Sequence, residues 1–416
     1  MLVLHVNTYD QEGGAGLAAW RIHQGLQHLS IESRMLVQTR TSGEASVYER
    51  DTRLARALAV FRPYLDMLPL LLYRHRQQAH WSVEWFPVRI SRQIQALHPD
   101  IIHLHWICRG FIDVPALASF QRPVVWTLHD SWAFTGGCHI PGDCLNYKER
   151  CGHCPQLGSR HAWDLSRWTW NRKRKFWRDT PLTIVTPSQW LADCARSSSL
   201  IQERRIEVIP NGIDLNQYRP VDKQEARAIL GLPQERKLVL FSAMNAIYDM
   251  NKGFRYLEAA LRQLAETGWH DRLELMVVGQ SAPSPPVKTG VPHRFLGVLR
   301  DEISMRLAYS AADVTVMASV QENLPNSIME SLACGTPVVA FNVGGVPHLV
   351  EHQVNGYLAK PFSIDGLSAG LSFVLSDEER WRRLSDRARD KIEREFSADK
   401  IAQRYQALYE QLLSEN

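Results

Sequence analysis

Residues 312–350 read ADVTVMASVQENLPNSIMESLACGTPVVAFNVGGVPHLV and alternate strand-like with helix-like segments. The apolar, β-branched run Asp313–Met317 predicts a strand. A helix is predicted next, because Gly335 ends a pattern in which apolar residues recur at helical spacing, namely Ile328, Met329, Leu332 and Ala333. Glu322 lies in the loop before this helix, and Glu330 lies more than one turn inside it. The stretch therefore predicts two carboxylates beside the first turn of one helix.

These two carboxylates suit a particular kind of ligand. The exposed N–H groups of a helix start favour an anion, whereas a carboxylate there holds neutral hydroxyls. A ligand that carries both phosphates and sugars would use both. The alternative interpretation is that Glu322 is a solvated loop acid and Glu330 a surface helix acid, the usual location of glutamates.

Length and composition indicate a soluble globular protein of two domains. The chain has 416 residues, 45% of them hydrophobic and 22% charged, which suits two domains of roughly 200 residues. A net charge of +4 is too weak to imply nucleic acid. The N-terminus enters a strand directly and no long apolar run follows, so we expect no signal peptide, no spanning helix and a cytoplasmic location. Seven cysteines, an odd number, argue against a complete disulfide framework.

The chain begins with a βα unit that carries a glycine-rich turn. Leu2–Asn7 predicts a strand, and the glycine-rich stretch 13–16 precedes a helical pattern, so this turn is a candidate phosphate-approach loop. Two later strands, Asp100–Trp106 and Pro123–His129, each end in a loop that carries histidine. A histidine after a strand is more often a hydrogen-bonded structural residue than a ligand-binding one.

The second half repeats the βα pattern. Pro210-Asn211-Gly212 predicts a turn between domains, and Lys237–Ala243 starts a new series of strands. Lys252-Gly253 follows the first of these strands, where an ammonium group would reach a diphosphate. We therefore predict an α/β protein with domains at 1–212 and 213–396 and a final helix within 397–416.

Four cysteines lie close together in GGCHIPGDCLNYKERCGHCPQLG, residues 136–158. Cys138, Cys144, Cys151 and Cys154 supply the four thiolates that a structural tetrahedral zinc site needs. The spacing differs from that of paired CxxC ribbons, and reduced thiols without metal are the alternative.

Two stretches of the first half combine apolar residues with bases. The segment Arg53–Arg92 contains seven arginines against two acids, which are Asp66 and Glu84. It predicts either an amphipathic helix pair with a solvated basic face or a membrane-surface patch in which Leu68–Tyr73 enters the lipid interface. The segment Ser166–Arg178 carries Trp168, Trp170 and Trp177 and fits a membrane interface or a covered helix. Neither shows a nucleic-acid fold signature.

Several of these motifs together resemble the retaining glycosyltransferases of family 4. They are the glutamate pair with seven residues between, the run ACGTPVVA with the Gly-Gly turn, TLHD at 127–130 and IPNGID at 209–214. The cysteine loop resembles that of members for colanic-acid and exopolysaccharide synthesis. The resemblance implies a GT-B fold, in which two Rossmann-like parallel-sheet domains face a cleft and the C-terminal helix returns to the N-terminal domain. The C-terminal domain would then bind a nucleoside diphosphate sugar and the N-terminal domain the acceptor.

The resemblance also implies roles for individual residues. His129, Glu322 and Lys252 would act on the transferred sugar and the leaving diphosphate, and Glu330 would bind the ribose. Substrate-binding roles also extend to Gly14, Ala15, Gly16, Asn323 and Leu324. The family usually places an arginine and a lysine on the donor phosphates, whereas this chain has Asn245 and Asn251 around Lys252 and lacks the arginine. No DxD motif is present, so we expect no metal cofactor for catalysis, and only a structural zinc.

We expect transfer with retention to a polyprenyl-diphosphate-linked or other glycan acceptor of bacterial surface polysaccharide. The enzyme would be peripheral on the inner face of the cytoplasmic membrane. Nucleotide-sugar epimerases share the fold, and a catalytically silent nucleotide-sugar or membrane-binding module is the alternative from another class.

Overall fold

The computed structural model describes residues 1–245, 247–284 and 286–415, apart from the side chain of Leu54. The chain divides into two compact units. Unit 1 contains Met1–Gly212 and the C-terminal segment from Asp399, and unit 2 contains Ile213–Ala398.

Unit 1 is built on a seven-stranded parallel sheet. The strands are β1 Leu2–Tyr9, β2 Glu32–Thr39, β3 Val47–Tyr48, β4 Ile101–Leu104, β5 Val124–Thr127, β6 Leu182–Thr186 and β7 Arg205–Val208. Their order in the sheet is β3-β2-β1-β4-β5-β6-β7. The helices that precede unit 2 are α1 Gly13–His28, α2 Arg53–Met67, α3 Ser91–Ala96, α4 Leu165–Trp177 and α5 Gln189–Arg196. The central strands β4, β5 and β6 are buried along their whole length, as continuous apolar runs in a parallel sheet require.

Unit 2 repeats this plan with six parallel strands. They are β8 Lys237–Ser242, β9 Leu273–Val278, β10 His293–Phe295, β11 Val314–Met317, β12 Val338–Phe341 and β13 Gly356–Ala359, in the order β10-β9-β8-β11-β12-β13. Its helices are α6 Lys223–Ile229, α7 Phe254–Leu264, α8 Glu302–Ala311, α9 Asn326–Ala333, α10 Val346–Leu349, α11 Ile364–Leu375 and α12 Glu378–Glu395. Apolar side chains fill both faces of this sheet.

The last helix, α13 Ala398–Ser414, packs on unit 1. Two of its tyrosines enter the sheet, where Tyr405 Oη lies 2.9 Å from Thr127 Oγ1 and Tyr409 Oη lies 2.7 Å from His103 Nδ1. Because both hydroxyls are buried and hydrogen-bonded, they fix the helix in one register. This contact confirms the expected return of the C-terminal helix to the first domain.

The two sheets have the strand order of doubly wound folds. Successive strands are added toward one edge of the sheet and then toward the other, and this change occurs between β1 and β4 in unit 1 and between β8 and β11 in unit 2. Ligands of open parallel sheets bind at the carboxyl ends of the strands beside such reversals. Lys252 and Glu322 follow β8 and β11, the two strands at the reversal in unit 2. His129 follows β5, which is the neighbour of β4 in the sheet. The prediction of an α/β fold with two Rossmann-like domains is confirmed.

One local prediction is wrong, and for another segment the structure bears on two alternatives. The stretch Gly14–Gly16, predicted as a loop, forms the first turn of α1 because the helix already begins at Gly13. For α4, where a membrane interface and a covered helix were the alternatives, Trp170 is 1% exposed and Trp177 3%, so these two rings pack inward as in a covered helix. Trp168 is 44% exposed.

In the part of the chain described here, no helix combines the length and the apolarity that crossing a bilayer would require.

Candidate functional site

In unit 2, Lys252 and Glu322 form an ion pair at the carboxyl end of the sheet. The Nζ of Lys252 lies 2.7 Å from Oε1 of Glu322, although the two residues are 70 positions apart. The charge of Glu322 raises the pKa of Lys252, which keeps the ammonium group charged at neutral pH. Both side chains stay partly exposed, at 29% and 16%, so a ligand can reach them.

Asn251 fastens the lysine loop to the glutamate loop. Its side chain donates to the carbonyl of Gln321 at 3.1 Å and accepts from the N–H of Gln321 at 3.2 Å. Its carbonyl accepts from the N–H of Val320 at 2.7 Å. Three hydrogen bonds therefore hold Lys252 beside Glu322. Asn251, which precedes the lysine where the chain lacks the family's arginine, acts here as a clamp between two loops.

Two glycines let these loops approach so closely. A Cβ on Gly253, which has a φ of 70°, would lie 1.9 Å from the carbonyl oxygen of Ala318. A Cβ on Gly344, with a φ of 54°, would lie 1.9 Å from the carbonyl oxygen of Glu322. Any side chain at either position would push the loops apart.

Glu330 is a buried acid. The residue is 6% exposed, and Tyr309 Oη donates to its Oε2 at 3.1 Å. A carboxylate that the fold holds away from bulk water is suited to accept hydrogen bonds from ligand hydroxyls. The interpretation of Glu330 as a surface helix acid is therefore wrong. Of the remaining predicted donor contacts, Asn323 is half-buried in the loop, whereas Leu324 is 5% exposed and packs in the core.

In unit 1, the carboxyl ends of β1, β4 and β5 surround a cavity of about 410 Å³. The predicted residues Gly14, Ala15, Gly16 and His129 all line it. Gly13 of the predicted glycine-rich turn and Asp130 of the TLHD motif line it as well. The sequence did not single out its other lining residues, which are Asn7, Tyr9, Glu12, Trp106 and Arg109. Tyr9 ends β1 and Trp106 lies two residues after β4, so a position at the end of a strand was the available signal.

The N-terminus of α1 forms one wall of this cavity. Glu12, the residue before the helix, makes no side-chain capping bond. Gly16 packs closely on the preceding turn, since a Cβ there would lie 3.3 Å from the backbone carbon of Gln11. The helix start thus presents backbone N–H groups and little side-chain bulk to a ligand.

His129 is the outer member of a chain of three imidazoles. Its Nε2 lies 3.1 Å from His105 Nδ1, and His105 Nε2 lies 2.9 Å from His5 Nδ1. Burial lowers the pKa of His129 to about 4 and holds the pKa of His105 and of His5 well below the ordinary value. All three rings are therefore neutral at physiological pH.

The inner end of this chain sets its hydrogen-bond direction. His5 Nε2 is buried without a partner among the described residues. A buried N–H without a partner is rarer than a buried acceptor without one, which favours the proton of His5 on Nδ1. His5 then donates to His105, His105 donates to His129, and His129 carries its own proton on Nδ1. The buried rings thus orient His129 and determine its tautomer.

Asp130, the residue after His129, is a carboxylate that contacts three neighbouring residues. Its Oδ2 lies 2.6 Å from His139 Nδ1 and accepts from Trp106 Nε1 at 2.8 Å, and its Oδ1 accepts from the N–H of Trp132 at 2.8 Å. Burial alone would raise the pKa of Asp130, but the neighbouring His139 and these donors lower it below the ordinary value. The carboxylate therefore stays ionised beside His129.

The four clustered cysteines also come together. Cys138, Cys144, Cys151 and Cys154 line one small cavity of unit 1, and all four are reduced. In residues 1–245, 247–284 and 286–415, three possible metal-ligand atoms lie within 4.8 Å of one another in the group His5, His103 and His105. No three of the cysteine sulfurs in these residues lie that close together.

A contiguous apolar surface lies on α2 and the 3-10 turn that follows it, Leu68–Leu72. We refer to it as the α2 surface, and its exposed members are Leu58, Val60, Phe61, Tyr64, Met67, Leu68, Leu71 and Leu72. The helix pair expected here is instead this helix and turn. The acids Asp66 and Glu84 are both buried, whereas Arg53 and Arg74 are exposed.

Comparisons with known proteins agree with this architecture. The family model described as "Glycosyltransferase Family 4" matches residues 12–217, and that described as "Glycosyl transferases group 1" matches residues 222–391. The chain is 23% identical over 351 residues to the putative colanic acid biosynthesis glycosyl transferase WcaC of Escherichia coli, a match that covers 82% of this chain and 83% of WcaC.

One further sequence match covers part of a relative, and one solved structure is similar in fold. The chain is 35% identical over 194 residues to a D-inositol 3-phosphate glycosyltransferase of Segniliparus rotundus, and covers 41% of that protein with 44% of its own length. The crystal structure of Anabaena HepE in complex with UDP-glucose superposes with a TM-score of 0.65 at 18% identity, over 100% of both chains. Together, the paired sheets and the two family models show that this chain belongs to the family 4 glycosyltransferases of the GT-B fold.

Proposed function

We propose that this protein transfers a sugar, with retention, from a nucleoside diphosphate sugar to a glycan acceptor of bacterial surface polysaccharide. The observation that carries the proposal is the clamped ion pair of Lys252 and Glu322, 2.7 Å apart, with the buried Glu330 in the helix that follows Glu322. This arrangement offers one cation for a diphosphate and two carboxylates for hydroxyls. A nucleoside diphosphate sugar presents those three groups in one molecule.

Each residue of unit 2 then has a distinct task. Glu330 accepts hydrogen bonds from the ribose hydroxyls, while its Oε2 also accepts the hydrogen bond from Tyr309 Oη. Glu322 accepts from hydroxyls of the transferred sugar. Lys252 remains charged and meets the negative charge that develops on the leaving diphosphate, where preorganised charge is most effective. The relation to HepE, which was crystallised with UDP-glucose, supports a donor of this class.

Retention follows if the acceptor attacks from the face that the diphosphate leaves. The bond from C1 to the diphosphate oxygen breaks, and the bond from C1 to the acceptor oxygen forms on the same face. The acceptor proton passes to the departing phosphate oxygen, so the protein need not supply a base. Lys252 and the N–H groups at the start of α9 stabilise the diphosphate while its charge increases.

Unit 1 supplies the acceptor side in this proposal. Its 410 Å³ cavity has room for a sugar and combines the aromatic ring of Trp106 with the ionised Asp130, features suited to carbohydrate. His129 stays neutral and oriented by His105, so it contributes hydrogen bonding to the transferred sugar.

The test is donor turnover by the purified protein. UDP- and GDP-sugars are supplied with and without a polyprenyl-diphosphate-linked glycan extract, and released nucleotide is measured together with the anomeric configuration of the product. We expect acceptor-dependent release and a retained anomer. Binding of every nucleotide without turnover would support a silent module, and conversion of the donor without transfer would support an epimerase.

The α2 surface supports a lipid-linked acceptor. Isolated exposed apolar residues are normal, but a contiguous apolar surface of this size marks an interaction site. Exposed arginines accompany it and the nearby acids are buried, a charge pattern that suits anionic headgroups. We therefore propose that this surface docks on the cytoplasmic face of an anionic membrane. Vesicle flotation should depend on anionic lipid and should decrease with salt.

A further inference from the structure

The structure shows that four thiols from separate turns of one loop surround a single small cavity. Cys138, Cys144, Cys151 and Cys154 all line it, and its volume of about 20 Å³ accommodates one water-sized particle. Four soft ligands around a space for one atom differ from scattered thiols that merely fill a core.

The CxxC turn adopts a conformation that ordinary packing does not favour. Cys151, Gly152 and His153 have consecutive positive φ angles of 47°, 107° and 46°. Two of them carry side chains, and such residues cost about 1–3 kcal/mol each unless the surroundings determine them. The turn is held by the N–H of Gly152 donating to Ser166 Oγ at 2.9 Å and the N–H of Cys154 donating to Asp164 Oδ2 at 2.8 Å. Cys151 and Cys154, at the two ends of this turn, both line the cavity.

One helix start and one buried lysine lie near the cavity. Asp164 caps the start of α4, so the positive end of that helix lies at the CxxC turn. Lys173, which is 0% exposed, donates to the carbonyls of Trp132 and Thr135 and stands 3.6 Å from the centre of the Trp132 ring. No carboxylate pairs with Lys173 in the described part of the chain. Burial lowers the pKa of Lys173 to about 7. A zinc ion with four thiolates carries two net negative charges, which would favour the protonated form of Lys173 and would also be attracted by the positive end of α4.

We propose that Cys138, Cys144, Cys151 and Cys154 bind one structural zinc ion. Tetrahedral zinc with bonds of about 2.3 Å places sulfurs about 3.8 Å apart, so the side chains must move inward from their present separation. Binding would release the four thiol protons to solvent and leave no open coordination position. The ion therefore cannot act on substrate and would stabilise the loop.

This loop supports the cavity that contains His129. Cys138 is followed by His139, whose Nδ1 lies 2.6 Å from Asp130 Oδ2 and whose Nε2 lies 3.0 Å from Ser82 Oγ. A metal at Cys138 would hold His139, and through it Asp130, in place. The inference does not depend on the proposed glycosyl transfer.

The experiment measures metal on protein prepared without an affinity tag under reducing conditions. We expect about one zinc per chain by elemental analysis, bound tightly enough to survive gel filtration. Cobalt exchanged into the wild-type protein should show the absorption of a tetrahedral four-thiolate centre. This readout needs no variant and stays informative if a cysteine variant does not fold.

Two variants separate the cluster from the other thiols. Cys151→Ser should lose zinc and lower the midpoint of thermal unfolding, whereas Cys194→Ser, outside the cavity lining, should retain about one zinc per chain. Far less than one zinc with all seven thiols titratable, or a disulfide within the cluster by mass spectrometry, would overturn the proposal. A cobalt spectrum with a nitrogen ligand would overturn the assignment of four cysteines.

Discussion

Replacing Leu71 and Leu72 together by serine should weaken binding to anionic vesicles about a hundredfold. A fully buried leucine side chain is worth about 2 kcal/mol. Leu71 is 69% exposed and Leu72 84%, so immersion of these fractions contributes about 1.4 and about 1.7 kcal/mol. The sum is about 3 kcal/mol, which corresponds to about two orders of magnitude in partition coefficient.

The salt dependence separates apolar from electrostatic binding. Arginines near an anionic surface contribute about 1 kcal/mol each, and this attraction weakens as the Debye length falls from about 10 Å at 0.1 M salt to about 3 Å at 1 M. Wild-type binding should therefore decrease with salt. The double serine variant should bind more weakly at every salt concentration but with the same slope, because Arg53 and Arg74 are unchanged.

The assay is flotation with phosphatidylcholine vesicles, with and without phosphatidylglycerol. Ile303→Ser is the matched control, because Ile303 is a 64% exposed apolar residue in unit 2, outside the α2 surface. We expect the control to bind like the wild type. Equal binding of the double variant and the wild type, or equal wild-type binding to both kinds of vesicle, would refute the reasoning.

Three further predictions concern the sites within each unit. Glu330→Gln should weaken nucleotide binding in calorimetry by about tenfold or more, because charge-assisted hydrogen bonds are worth about 1.5–3 kcal/mol. Glu322→Gln should retain the affinity for free nucleotide and lose transfer. Unchanged nucleotide affinity in Glu330→Gln would contradict the ribose assignment. Because the pKa of His129 is lowered to about 4, protonation of this ring should cause no loss of activity between about pH 5 and about pH 8, and an inflection near 6.5 that disappears in His129→Gln would contradict its burial. Asp313→Ala should destabilise unit 2 by about 3–5 kcal/mol in chemical unfolding, because it leaves the buried Arg227, 2.6 Å away, without its partner.

The pH dependence of Asp313 follows from the same contacts. Burial alone would raise its pKa, but the charges of Lys223 and Arg227 and the N–H of Leu238 outweigh burial and lower the pKa. The folded state therefore binds the Asp313 proton less readily than the unfolded state. Its stabilisation is present above the unfolded pKa and is lost as the pH falls through the folded pKa, so the difference between wild type and Asp313→Ala should narrow in acid.

The sequence by itself determined the succession of elements and the class of site. Strands of a parallel sheet are buried on both faces and read as continuous apolar runs, so β8, β11 and β12 were recognisable locally. Gly335 marked the end of α9, and Lys252 stood out as a cation directly after a predicted strand. The roles of His129 and Glu322 came from the resemblance of their motifs to family 4. These features depend on residues that are close together in the sequence, so they can be recognised without the tertiary structure.

Only the tertiary structure decided which side chains meet and which are buried. The pair of Lys252 and Glu322, the clamp of Asn251 and the contact of Tyr309 with Glu330 join separate elements through the strand order of the sheet. The same holds for burial in α4, where the pattern of tryptophans and bases permits either face to be covered. Packing on unit 1 buried Trp170 and even Lys173. Helical periodicity defines faces of a helix, but burial of a face depends on what the rest of the chain packs against it.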